Sequence, residues 1–265
     1  MKYLILNGSP HRGNTWKLTE YVKSCIEEAD HSSEFTEIHL RELSLPFCTG
    51  CSHCFRNGEE HCPHAGQMQQ VLQEFDKADG IIVSTATFNM RETGLLKNLF
   101  DHMCYLLHRP RYFTKKALVI TTVGGMGKAG TLKSVSGMLQ GIGCNRCYRI
   151  GENSVSWNSY EPLERTKKKV CRITNRFTKD VLSGRMHFPK MIELIPYNLF
   201  RGMNRDYGQE KEYATEDGIY WMRPERKIGA YDRRIPLTPL HRLFGGLFFL
   251  CGIVGGRLVT VTYRK

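Results

Sequence analysis

The chain has 265 residues, 41% hydrophobic and 24% charged, a composition that excludes disordered, collagen-like and low-complexity classes and suits one complete domain followed by a large C-terminal appendage. Its net charge of +12 is uneven, with −5 over residues 1–107, +12 over 108–185 and +5 over 186–265; no zinc-finger, helix-turn-helix or aromatic RNA-binding signature accompanies the basic segment, so nucleic acid is not an expected partner. Ten cysteines without an N-terminal signal pattern point to a reducing cytoplasm, where disulfides are not the default.

Short apolar runs alternate with helical stripes through the first 185 residues, which is the signature of a parallel sheet covered on both faces. Tyr3–Leu6 reads as the first strand, and Leu18, Tyr21, Val22, Cys25, Ile26 and Ala29 predict a helix from Asn14 to Ala29. A second strand is expected near Phe35–Leu40, a helix over Gln67–Lys77 and a third strand at Ile81–Val83. Leu95, Leu96, Leu99, Phe100 and Met103 give the next helix, Ala117–Thr121 the fourth strand, and Leu132, Val135, Leu139 and Ile142 another helix. A fifth strand near Cys147–Ile150 and a basic helix from Tyr160 to Leu182 close the unit. Five strands and five helices in strict alternation predict an α/β, flavodoxin-like, doubly wound five-stranded parallel sheet of order 2-1-3-4-5 over residues 1–185.

Residues 186–265 form the expected C-terminal extension, partly helical and a candidate interface element. Met191 to Phe200 suggests a short helix broken at Pro196. Leu243–Gly256 is apolar for fourteen residues, too short to span a bilayer comfortably, so it is expected to be covered by the domain or by a second subunit rather than by membrane.

Cys48, Cys51, Cys54 and Cys62 fall within fifteen residues, inside the cysteine-rich segment 46–64. Thiolates at consecutive two-residue gaps can close around one corner of a 4Fe-4S cluster, with the fourth arriving from Cys62 just before Pro63. Zinc and free, redox-active thiols are the alternatives. Cys25, Cys104, Cys144, Cys147 and Cys171 read as ordinary buried cysteines, and His53, His61 and His64 as loop histidines. Asp101 and His102 have no nucleophile to pair with and receive no catalytic role.

Between the first strand and the first helix lies Asn7-Gly8-Ser9-Pro10-His11-Arg12-Gly13-Asn14-Thr15, where backbone N–H groups and the helix dipole favour an anion. It is neither a nucleotide-triphosphate loop nor a Rossmann dinucleotide loop. This opening resembles the NADPH-dependent FMN reductase and iron-sulfur flavoprotein family, and the resemblance covers about residues 1–185. It implies that Ser9, Arg12, Asn14 and Thr15 hold the phosphate of FMN. The loop after the third strand, Thr85-Ala86-Thr87-Phe88-Asn89, would lie along the isoalloxazine ring, although the family's usual proline and tyrosine are replaced there. Gly124 and Gly125 match the glycine-rich turn at the ring's far edge. The cysteine loop also falls where relatives carry a compact cluster motif, although their Asp-Asp-Met before the next helix is here Gly66-Gln67-Met68.

The resemblance implies a cytoplasmic, FMN-dependent oxidoreductase or electron-transfer flavoprotein with a 4Fe-4S cluster as relay. Its donor would be NAD(P)H or a ferredoxin-like protein, its acceptor a small molecule or protein, and its state a homo-oligomer without membrane association. The alternatives are a cluster-free NAD(P)H-dependent FMN or quinone-type reductase and a non-catalytic flavodoxin-like carrier.

Overall fold

The computed structural model describes residues 1–154, 160–204 and 215–258, so parts of the expected extension, 205–214 and 259–265, lie outside the described residues. Five strands, β1 (Lys2–Asn7), β2 (Glu34–His39), β3 (Gly80–Ala86), β4 (Lys116–Val123) and β5 (Arg146–Asn153), form one sheet in the order β2-β1-β3-β4-β5. Every pairing is parallel. The flavodoxin-like expectation is borne out.

The alternation of side chains along the strands explains two separate cores. Leu4, Leu6, Ile81, Val83, Ala117 and Val119 point to one face, under α3 (Ala65–Lys77), α4 (Gly94–His102) and α6 (Lys128–Gly141). Tyr3, Ile5, Ile82, Leu118, Ile120 and Ile150 point to the other, under α1 (Asn14–Ala29) and α7 (Glu164–Ser183). Between β2 and α3, the cysteine segment holds a four-residue helix α2 (His53–Arg56) and a 3-10 turn at Glu59–His61. A second four-residue helix, α5 (Tyr105–His108), precedes β4.

The extension builds a third core. Leu194 and Tyr197 of α8 (Met191–Met203), Tyr220 and Trp221 of α9 (Glu216–Met222), and the loop residues Tyr231 and Ile235 close around Phe113, which belongs to the sheet unit. A short α10 (Pro224–Lys227) carries Arg226, whose guanidinium meets buried Asp232 at 2.7 Å. The expected break at Pro196 does not occur: α8 runs through it. Proline removes one N–H, whose partner would be the carbonyl of Ile192, but both residues sit on the exposed side, where water can serve that carbonyl.

The apolar tail is longer than its sequence run. α11 covers Pro239–Leu258, and by length and composition alone it would cross a membrane, yet one face is closed on α8. That face is glycine. A Cβ on Gly252 would stand 2.4 Å from the carbonyl oxygen of Leu199, and one on Gly202 of α8 would stand 2.3 Å from that of Phe249, so the two backbones approach as only glycine permits. On the opposite face Leu240, Leu243, Leu247, Leu250 and Val254 remain exposed, so the expected cover is only half supplied within the chain.

Candidate functional site

A cleft of about 590 Å³ opens at the carboxyl ends of β1, β3 and β4. It is lined by Ser9, Asn14 and Thr15 from the first loop and helix, Ala86, Thr87, Phe88 and Asn89 after β3, and Gly124 and Gly125 after β4. Nine of the eleven expected cofactor residues therefore meet in one place, joined by His11, Thr122 and Ser154, which the sequence alone did not single out.

The other two stand behind it. Thr85 is fully buried and its hydroxyl accepts from the Thr93 backbone N–H at 3.2 Å, tying the β3 loop to the start of α4. Arg12 turns away from the cleft, with Nη2 at 3.3 Å from His39 Nε2 and its guanidinium 5.9 Å from the Trp16 ring centroid. It lines a smaller adjoining hollow of about 230 Å³ with His39 and Arg41.

A hydroxyl network fixes the cleft floor. Thr15 and Thr122 share a hydrogen bond of 2.7 Å between α1 and β4, while Thr87 bonds Thr121 at 2.9 Å and Thr131 at 3.0 Å. The β3 loop turns sharply: Asn89 and Met90 have φ of 47° and 68°, and Phe88 and Arg91 bridge across the turn. Phe88, which lines the cleft, is half-exposed, as is Met90 beside it in the turn, and Met126 of the loop after β4 is exposed. In the first loop the Ser9 N–H donates to Asn7 Oδ1 at 3.1 Å, but Ser9 Oγ and Asn7 Nδ2 are buried without a hydrogen-bond partner among the described residues. Buried polar atoms of this kind ordinarily have partners. A phosphate in the cleft would supply an acceptor for Ser9, so the residues present fit an anionic group.

The cysteine loop lies at the far end of α4. Asn98 anchors it, donating from Nδ2 to the carbonyls of Leu45 and Pro46 at 3.0 Å each and accepting the Cys48 N–H at 3.1 Å. Gly50, Ser52 and Gly58 adopt left-handed backbone, which coils the segment tightly enough for Cys48, Cys51 and Cys54 all to act electrostatically on Cys62. Burial, reinforced by these thiols, raises the Cys62 pKa. Four thiols on one short segment are a donor set that suits a cluster or zinc by its chemistry, although among the described residues only Cys62 of the four falls in a group of ligand atoms lying within 4.8 Å of one another.

Three further groups join the loop that sequence reading had set aside. Cys104 receives a hydrogen bond from the Cys54 thiol, which pushes Cys54 up and Cys104 down from the ordinary thiol range. His102 Nδ1 donates to the Asn98 carbonyl at 2.9 Å, which leaves Nε2 as the acceptor for His64 Nδ1 at 2.8 Å. Cys62, His64 and His102 thus bring three ligand atoms within 4.8 Å of one another. His64 is a partner in this group and not simply a loop histidine.

The sequence pattern of the NADPH-dependent FMN reductase family matches residues 1–161, a span that contains both the cleft and the cysteine loop. The chain belongs to that family. Among curated relatives of this FMN reductase family member, an iron-sulfur flavoprotein of Archaeoglobus fulgidus is 34% identical over 38% of the chain and 48% of its own length. Another from Clostridioides difficile is 23% identical over 65% and 76%, and one from Methanosarcina thermophila 22% over 68% and 98%. The chain thus spans about half the length of the first of these. Among solved structures, an FMN-dependent NADH-azoreductase from Bacillus anthracis in complex with FMN superposes with a TM-score of 0.50 at 17% identity, covering 67% of this chain and all of that one. An oxidoreductase from Corynebacterium diphtheriae gives 0.51 at 14% identity, covering 69% and 98%. These two likenesses concern the fold.

Thiol chemistry separates the two classes of cysteine in this family member. Burial pushes Cys25 and Cys144 up to about 12 and Cys147 well above its usual range, so at pH 8 these three remain protonated and unreactive. Iodoacetamide at pH 8, read by mass mapping of the native protein, should label exposed Cys48 and Cys251 first and leave Cys25, Cys144 and Cys147 unmodified. Labelling of those three should begin only at strongly alkaline pH or on unfolding.

Proposed function

We propose that the chain is an FMN-dependent oxidoreductase that exchanges electrons between a reduced donor and an acceptor, with FMN in the cleft at the ends of β1, β3 and β4 and a 4Fe-4S cluster in the cysteine loop. The observation that carries the reading is the cleft at the first turn of α1, lined by Ser9, Asn14 and Thr15, with the Ser9 hydroxyl buried and without a partner among the described residues. A helix N-terminus supplies N–H groups and positive dipole to a phosphate, and the side chains of Ser9, Asn14 and Thr15 lie where they can add to it. The names of the curated relatives support the cluster.

FMN supplies one- or two-electron transfer and the cluster one-electron transfer. The chain's own residues have the tasks of binding and orientation. Thr87, Phe88 and Asn89 would border the ring on one side and Gly124 and Gly125 on the other, and the half-exposed Phe88 offers apolar surface to a second planar group in the cleft. That surface favours a substrate-using enzyme over a flavodoxin-like carrier. Cys48, Cys51, Cys54 and Cys62 would hold the cluster, with His64 donating its backbone N–H to the Cys62 sulfur at 3.5 Å. An NAD(P)H or ferredoxin-like donor suits the basic segment 108–185, through phosphate or acidic protein surface.

Replacing Asn14 and Thr15 together by Ala removes hydrogen bonds to a charged phosphate worth about 1.5–3 kcal/mol each, and should leave mostly apoprotein by flavin absorbance after gel filtration. Full flavin retention in that variant would sink the cleft assignment. For the cluster, anaerobic reconstitution should give about four irons and four labile sulfides per chain, with clear losses in Cys51→Ser. One bound zinc, or no metal with all four thiols freely titratable, would leave direct flavin chemistry. Pairing of two copies through Leu243, Leu247 and Leu250 of α11 completes the reading; sedimentation equilibrium should give a dimer for the parent chain and a monomer for Leu247→Glu.

A further inference from the structure

Arg109 follows α5 and is buried between the cysteine loop and the C-terminal extension. Its Nη2 donates to the Cys54 carbonyl at 2.8 Å and its Nη1 to the Phe55 carbonyl at 3.4 Å. The same fork meets Asp217 Oδ1 at 2.8 Å and Glu59 Oε2 at 3.4 Å. Asp217 belongs to α9 of the extension, is itself buried, and uses its other oxygen to bind His108 Nδ1 at 2.8 Å. The His108 ring lies between Phe55 of the loop, at 4.6 Å between centroids, and Phe200 of α8, at 4.2 Å.

A buried guanidinium must be paired, and its rigid set of five donors can serve loop carbonyls and carboxylates at once, which an ammonium cannot. Asp217 is the close, buried counter-ion; Glu59 stands farther off and is 32% exposed. Without Asp217 the guanidinium would gain by moving toward water, and the carbonyls of Cys54 and Phe55 would lose their donor. We propose that Arg109 is the positioning residue of the cysteine loop, and that the extension is the brace that holds it there through Asp217 and Phe200. This rests on the reading of the loop as the metal-binding segment and names what sets its conformation.

The deciding experiment is amide hydrogen exchange on the full chain, flavin-loaded but free of iron, so that it does not depend on a cluster forming. Arg109→Gln and Asp217→Asn are compared with the parent chain and with Glu225→Gln, an exposed control on α10. Amides of residues 50–62 should exchange at least tenfold faster in both variants, while those of β4 and the control stay unchanged. Equal exchange in the parent and both variants overturns the proposal. If Arg109→Gln does not fold, Asp217→Asn, which keeps a hydrogen-bonding side chain and loses only the charge, decides alone. A second readout applies after reconstitution with iron and sulfide: Arg109→Gln should lower the midpoint potential of the bound cluster, because a nearby cation favours the more negative reduced form, and Arg109→Lys, which keeps the charge but not the fork, should restore it only in part. An unchanged potential in Arg109→Gln would reduce Arg109 to a fold contact and overturn its role toward the cluster. Failure of the parent chain to assemble any cluster would sink the cluster reading and leave the exchange result to judge the brace.

Discussion

The pairing of β1 with β2 on one side and β3 on the other is the constraint on which the cleft depends. Because every strand is parallel, all their carboxyl ends face the same way, and the order reverses at β1 so that successive crossovers leave on opposite faces of the sheet. A crevice must open where the two sets of helices part. Ser9, Thr87, Thr122 and Gly124, remote from one another along the chain, meet there because each follows or ends a strand of this sheet. The Thr15–Thr122 and Thr87–Thr121 hydrogen bonds then hold the crevice floor at fixed width.

Helix α4 transmits that geometry to the cysteine loop. At its start Thr93 donates to the Gly8 carbonyl at 2.5 Å, and the approach is so close that a Cβ on Gly8 would come 2.9 Å from Leu96 Cβ. Five residues later, about 8 Å along the axis, Asn98 secures the loop at Leu45, Pro46 and Cys48. At the last turn His102 meets His64. One short helix therefore ties the first loop of the cleft to both ends of the cysteine segment.

The parts legible in the sequence are those written locally. Buried parallel strands appear as apolar runs, α1 as a helical stripe from Asn14 to Ala29, and the loop that lines the cleft as glycines and small hydroxyls between them. Asn98, His102 and Cys104 were not legible as partners of the loop, because their roles come from the tertiary placement of α4 and no spacing rule connects them to Cys48–Cys62. Arg12 lies in the same loop as Ser9 and Asn14, and its long side chain meets His39 and Trp16, a placement that no local spacing rule indicates. Pro196 suggested a break, since proline's local penalty is visible in sequence and the packing of α8 against α11 is not.

The same distinction bears on the boundary near residue 185, where strict alternation of strands and helices ends. In energetic terms the two parts are not separate. Phe113, from the sheet unit, is fully buried by Tyr197 and Tyr231 of the extension, with ring centroids at 6.1 and 5.2 Å. The Tyr220 hydroxyl donates to the Pro110 carbonyl, and His108 and Arg109 both reach Asp217. Residues 108–113 thus send an aromatic ring, a carbonyl, an imidazole and a guanidinium into the extension, while the same guanidinium grips Cys54. An appendage held only by apolar contact could slide at little cost, whereas one that neutralises a buried cation must keep its carboxylate within hydrogen-bond distance. That requirement makes α9, through Asp217, part of the environment of the cysteine loop, even though no cysteine of the loop lies on it.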